Sequence, residues 1–167
     1  MKVDQLGHVV LYVRDAERSA RFYREVLGWR EILPAEAGPE AGTGTETDAE
    51  TKRRQYAAFS APNGRTHHEL LLLEVGEEAA AQPPSPRVGM YHFGVKIGDT
   101  DDELREAVAR LEATGTRLVG SADHGVTHSL YILDPDGNEV ELYVDVAGVD
   151  WRTDPSLMFA PPKPLAL

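Results

Sequence analysis

The feature that most constrains this chain is an internal repeat. "HVVLYVRD" opens on His8 and "HFGVKIGD" opens on His92. Seven residues after each histidine stands an aspartate, Asp15 and Asp99, just ahead of a helix-like segment. Further on, Asn63-Gly64 in one half and Asp136-Gly137 in the other precede an apolar, strand-like run. These correspondences, in one order, argue for a duplicated module, so whatever the first half folds into the second half should repeat.

The module reads β-α-β-β-β. In the first half, "HVVLYV" is short, apolar and β-branched, and reads as a strand. Asp15 is placed to cap a helix over "AERSARFYREVLG", with Phe22, Val26 and Leu27 as its apolar face and Gly28 as its end. "WREIL", "QYAAFSAP" and "HHELLLLEV" follow as strands, the last two separated by a turn at "NGR". Residues 35–53 lack periodicity and read as a mobile loop. In the second half, "HFGVKIGD" is a strand and "TDDELREAVARLEATG" a helix. Thr100 and Glu103 form its capping box, and Leu104, Val108 and Leu111 its apolar stripe. "TRLVG", "SLYILD" and "EVELYVDV" are strands, with a turn at "PDGN".

These readings give an α+β fold: two β-α-β-β-β modules forming a curved mixed sheet around a metal-binding concavity. Residues 1–167 make one domain, with module 1 over about 5–76, a linker at 77–88, module 2 over about 89–146 and a tail at 147–167. Trp151, Leu157, Met158 and Phe159 are the tail's apolar anchors. They should pack over the surface or a neighbouring subunit without forming an element of their own. The tail and the 35–53 loop are expected to supply part of a pocket wall.

Composition removes several classes of function. Apolar residues make up 41%, a globular proportion. The net charge of −11 repels phosphate backbones and argues against nucleic acid as a partner. No basic tract suggests a membrane surface, and no run is long enough to span a bilayer. The chain has no cysteine, so disulfides, thiolate metal sites and cysteine nucleophiles are excluded. "MKVDQLGHVVLYVRD" lacks a signal-peptide core, and the expected location is the cytoplasm.

Strand periodicity sorts the polar residues onto one face. His8, Val10 and Tyr12 share a face of the first strand; His92, Gly94 and Lys96 share one in the second module. In the last strand Glu139, Glu141, Tyr143 and Asp145 lie opposite Val140, Leu142 and Val144. If the apolar faces meet the helices, the polar faces look into a shared concavity where His8, His92 and Glu141 could meet. Two neutral imidazoles and one carboxylate on one side of a metal leave open positions, an arrangement suited to non-haem Fe(II). Other divalent metals, Mn(II) among them, accept the same donors. Taken singly, a histidine at a strand start is more often an edge residue than a ligand. His128 has no evident role, and Glu139 reads as solvated.

The repeat, the strand-opening His8 and His92, and "LDPDGNEVELY" resemble the vicinal oxygen chelate superfamily, which includes glyoxalase I, drug-resistance proteins and extradiol dioxygenases. The resemblance covers about residues 5–146. Its finer match is to the catechol 2,3-dioxygenase-like branch. It implies His8, His92 and Glu141 as metal ligands, His68 as the acid–base histidine, Tyr131 as the group that binds a substrate oxygen, and His124 as a supporting histidine. It also implies Fe(II), a catechol-type diol and O2. Many members of that branch carry two pairs of modules, whereas this chain has one, and a homodimer is the expected assembly. Two alternatives stay open. Counting back from Leu70 and Leu142 makes Glu69 the repeat counterpart of Glu141, which would suit a glyoxalase-like isomerase or lyase with four ligands. A metal-free drug-binding protein is the other.

Overall fold

The computed structural model describes residues 1–32, 55–83 and 86–167. The loop expected at 35–53 lies outside the described residues. The chain divides into two compact units, Met1–Ala81 and Gln82–Leu167.

The first unit holds β1 (Val9–Val13), α1 (Ala16–Glu25), β2 (Arg30–Glu31), β3 (Tyr56–Ser60) and β4 (Leu70–Glu74) in one sheet of order β1-β4-β3-β2. β1 runs parallel to β4, and the other pairs are antiparallel. β1 alternates as its sequence requires: Leu11 and Val13 are buried while Val10 and Tyr12 face solvent.

α1 starts where Asp15 accepts a hydrogen bond from Arg18 N at 2.9 Å. The carboxylate of Glu74, at the end of β4, takes the Ala16 N–H at 2.9 Å and pins the helix start to the sheet. The buried face is Ala16, Ser19, Ala20 and Tyr23, which corrects the expected face of Phe22, Val26 and Leu27. Small residues one turn apart let the helix approach the sheet closely. The Tyr23 ring then fills the remaining space, 5.8 Å from Phe59 and 6.3 Å from Trp29 between centroids.

The second unit repeats this plan with β5 (His92–Gly98), α2 (Asp101–Ala113), β6 (Leu118–Asp123), β7 (Thr127–Leu133) and β8 (Glu139–Asp145). Its order is β5-β8-β7-β6, again with the first strand parallel to the last. Duplication is therefore expressed as identical strand topology. The expected curved sheet is built, among the described residues, as two four-stranded sheets, because each module closes its first strand onto its own fourth. Val140, Leu142 and Val144 of β8 are buried with Leu130 and Ile132 of β7 and with Leu104 and Leu111 of α2. Each such side chain contributes about 1.5–3 kcal/mol on leaving water.

The turn before β8 is held by Asp134. Its Oδ1 accepts from Asp136 N at 2.9 Å and Asn138 N at 2.8 Å, and its Oδ2 accepts from Asn138 Nδ2 at 2.8 Å. Gly137 sits at φ +85°, where an L side chain is strained. Gly64, its counterpart in the repeat, serves differently. A Cβ there would lie 2.8 Å from Ser60 Oγ and would clash with the Glu69 carboxylate. One glycine is needed for its backbone angle, the other for its missing side chain.

The tail departs from expectation by forming structure of its own. A 3-10 turn, Pro155–Phe159, is capped by Asp154, which accepts from Ser156 N at 3.1 Å. Lys163 then pairs with Asp123 through N–H···O bonds of 2.8 and 2.9 Å. Phe159, expected as an anchor, is 85% exposed. Among the described residues no helix is long and apolar enough to cross a membrane.

Candidate active site

The second unit gathers His92, His124, Tyr131 and Glu141. Glu141 lies on the polar face of β8, with β5 on one side and β7 on the other. β5 places Gly94 opposite it. A Cβ at Gly94 would stand 3.3 Å from both Glu141 Oε2 and Tyr143 Cε1, so the glycine leaves the carboxylate its lane. His92, two residues earlier, brings Nε2 to 3.2 Å from Glu141 Oε2. On the other side, β7 sets Tyr131 directly across from Glu141. The Tyr131 hydroxyl donates to Glu141 Oε1 at 3.1 Å. His124 Nε2 is 2.7 Å from the same hydroxyl. The single phenolic proton goes to Glu141, which assigns the proton in the second contact to His124 Nε2.

Electrostatics keep this phenol protonated. Burial, followed by the charge of Glu141 and the hydrogen bond to it, pushes the Tyr131 hydroxyl well above the usual tyrosine range. His124 is held by its own turn: its N–H donates to Thr127 O at 2.9 Å, and Gly125, at φ +77°, donates to Asp123 Oδ1 at 2.7 Å.

The first unit places His8 and His68 side by side. His8 immediately precedes β1, and His68 precedes β4, its parallel neighbour. Their ring centroids are 4.6 Å apart. Thr66 Oγ1 lies 3.0 Å from Gly7 O and 2.6 Å from His68 O, tying the two approaches together. His68 Nδ1 faces His67 Nδ1 at 2.6 Å, and its Nε2 is buried without a protein partner. Burial lowers the His68 pKa; the His67 and His8 rings act in the same direction, and Glu69 opposes them.

Glu69 is engaged elsewhere. Its Oε2 accepts the Ala61 N–H at 2.7 Å, folding the carboxylate onto the turn that Gly64 leaves open. The sheet registers also correct the counting from leucines. Val9 pairs with Leu70 as Phe93 pairs with Val140, which makes Glu69 the counterpart of Glu139 and Leu71 the counterpart of Glu141.

Metal binding can be tested on the donors present. Two donors about 2.1 Å from one ion and at right angles to each other are about 3 Å apart. The 3.2 Å between His92 Nε2 and Glu141 Oε2 fits that separation. An ordinary ion pair would show the same distance. What adds to it is Glu139, 20% exposed, whose buried and unpartnered Oε1 stands 3.5 Å from the equally unpartnered His92 Nδ1. Histidines that ligate a metal commonly turn their second nitrogen toward a carboxylate. Glu139 is therefore not the solvated residue expected. Among the described residues, no three His, Asp or Glu side chains form a metal cluster.

Beside Glu141 the second unit has a cavity of about 260 Å³. Thr127 and Tyr143 line it from the sheet, and Trp151 and Met158 line it from the tail. The sequence pointed to the tail as a wall but not to Gly94, Glu139 or Thr127. Gly94 was visible as the one residue without a side chain on its strand face. His128 turns out to be structural: its Nδ1 is 2.6 Å from Asp101 Oδ1 at the start of α2.

A β-α-β-β-β unit occurring twice, with a histidine at each first strand and a carboxylate on the last, defines the class. The chain belongs to the Glyoxalase/Bleomycin resistance protein/Dioxygenase superfamily, whose model matches residues 5–142. It is 33% identical over 149 residues to catechol-2,3-dioxygenase of Bacillus subtilis (strain 168), covering 89% of this chain and 44% of that protein. It is 29% identical over 138 residues to an iron-dependent extradiol dioxygenase of Rhodococcus jostii (strain RHA1), covering 81% of this chain and 41% of that one. The chain thus spans less than half the length of these two relatives. Among solved structures, a lactoylglutathione lyase from Agrobacterium tumefaciens is 28% identical, with a TM-score of 0.57 over 86% of this chain and 96% of that one.

Proposed function

We propose that this chain is an Fe(II)-dependent extradiol dioxygenase that cleaves a catechol-type diol and inserts both atoms of O2. The observation that carries the reading is the Tyr131 hydroxyl, shared between Glu141 and His124 beside His92. In a simple ion pair the phenol and second imidazole would have no task. Beside a bound diol they would form a hydrogen-bonding wall.

His8, His92 and Glu141 would hold the metal, Fe(II) in first place and Mn(II) as a substitute. The metal, when bound, supplies positions at which diol and O2 react together. Tyr131 turns its hydroxyl toward a substrate oxygen, and His124 keeps that hydroxyl aimed. His68, with a free Nε2, takes the proton from a diol hydroxyl and later returns one. Cleavage beside the diol yields a ring-opened semialdehyde acid. The proposed assembly is a homodimer, acting in the cytoplasm.

A glyoxalase-like isomerase would need a fourth ligand, a second carboxylate. Glu69, the candidate, is bonded to Ala61 N–H, and Leu71 stands at the register position that answers to Glu141. Both facts favour the dioxygenase reading. The test is anaerobic reconstitution with Fe(II), addition of a catechol panel, and measurement of oxygen consumption on admitting air. Stoichiometric uptake with a ring-opened product is expected. Tight metal binding with no uptake across the panel would replace this reading with the isomerase.

A further inference from the structure

We propose that the tail after β8 sets substrate specificity: Trp151 and Met158 select a diol ring that carries a compact, uncharged, apolar substituent and reject a carboxylated ring. This rests on the dioxygenase reading for the diol, but the wall itself is a property of the second unit.

Glu141, the proposed ligand, forms one wall of the cavity, so a molecule held at that carboxylate would meet the other walls. Tyr143 presents apolar surface from β8 and Val126 from the bend before β7, and Trp151 and Met158 line the cavity from the tail. The two charged residues that line it, Glu141 and Asp145, are both acidic. Lys96, the cation beside Asp145 at 2.7 Å, is also engaged by Asp99 at 2.5 Å. An anionic substituent would stand next to two carboxylates, at a high desolvation cost, while Arg152, the cation stacked on Trp151, is not among the lining residues. A volume of about 260 Å³ is below the ~300–1,000 Å³ of sites for drug-sized ligands, and suits one ring with a small substituent.

The wall is held in place by the chain's own hydrogen bonds. Asp150 accepts from Arg152 N at 3.0 Å and, through its carbonyl, from Thr153 Oγ1 at 2.8 Å. The Arg152 guanidinium stacks 4.5 Å from the centroid of the Trp151 ring and orients the indole. Asp154 caps the 3-10 turn that carries Met158, and the pairing of Lys163 with Asp123 fastens the far end to β6. Trp151 is 40% and Met158 55% exposed. Their apolar surface is thus still available for a ligand to cover.

The experiment compares 4-tert-butylcatechol with 3,4-dihydroxybenzoate on the full chain, in wild type, Trp151→Ala, Trp151→Phe and Met158→Ala. Circular dichroism and thermal melts confirm that each variant is folded. Two readouts are taken: the ratio of kcat/KM for the two diols in the iron-loaded protein, and their dissociation constants in the metal-free protein by calorimetry. Wild type should prefer the tert-butyl diol in both. Trp151→Ala and Met158→Ala should cut that preference about tenfold or more, the usual scale for apolar pocket contacts, and Trp151→Phe should restore most of it. Equal preference in wild type and both alanine variants, or tighter binding of the carboxylated diol, overturns the inference. If oxygen uptake is absent but the metal-free preference and its loss in the variants persist, the wall stands and the dioxygenase reading fails. If uptake occurs with an unchanged preference, the reverse holds. Failure of wild type to bind or turn over either diol overturns the wall.

Discussion

The Tyr131 hydroxyl stands 3.1 Å from Glu141 Oε1, directly across the β7–β8 ladder. Ten residues separate them in the chain. The Asp134–Asn138 turn converts that separation into a cross-strand pair, so the register of one hairpin sets the contact between phenol and carboxylate.

Removing this hydroxyl should weaken the site without emptying it. Tyr131→Phe keeps the ring but leaves Glu141 and His124 without their shared partner. We expect activity to fall about 10- to 100-fold, the range for groups that orient a metal site. Iron content should hold near wild type. Loss of iron together with activity would make Tyr131 part of the metal-holding structure and not of the substrate wall.

Ligand and proton-transfer roles separate by metal content. Glu141→Ala should abolish both iron binding and turnover, since the carboxylate is 3.2 Å from its imidazole partner. His68→Ala should retain iron and lose about 10²–10⁴ in rate, the range for a positioned acid–base group. Metal analysis beside single-turnover kinetics distinguishes the two. Iron retained in Glu141→Ala would remove it from the ligand set.

Two glycines should respond differently to the same substitution. Gly94→Ala puts a methyl 3.3 Å from Glu141 Oε2 and should lower metal affinity with little change in melting temperature. Gly137→Ala forces an L side chain to φ +85° in the turn before β8 and should cost about 1–2 kcal/mol of stability. Urea denaturation and metal titration on both variants form the comparison. Equal stability losses would remove the special role of Gly94.

Acid should erase the contribution of one helix cap. The Glu103 carboxylate accepts from Asp99 N at 2.6 Å and Thr100 N at 2.8 Å. These bonds, Asp99 first, hold its pKa below the usual carboxylate range. A lowered folded-state pKa contributes stability that is complete above the unfolded value of about 4.3 and disappears as pH falls through the folded value. Glu103→Ala should therefore melt below wild type at pH 7, and the gap should close on titration toward pH 3. A gap of constant size down to pH 3 would mean that the charge of the Glu103 carboxylate contributes nothing to the cap.

Much of this molecule could be read in one dimension. Period-two alternation in "EVELYVD" determined that Val140, Leu142 and Val144 are core and that Glu141 lies on the opposite face, because side chains in a strand cannot choose their side. The repeat of His8 and His92 determined that both halves share one strand order. Asp15 and Glu103 announced their helices, since capping is local chemistry. What the sequence could not decide was anything set by close approach or register. α1 buries Ala16, Ala20 and Tyr23 in place of the more apolar Phe22 because the fit of helix to sheet, not hydrophobicity, selects the face. Glu69 and Glu141 look equivalent by their following leucines, yet parallel pairing across each sheet shifts them by two residues. Glu139 and Gly94 gained their meaning only beside His92 and Glu141, since a contact between neighbouring strands depends on a register that neither strand encodes alone.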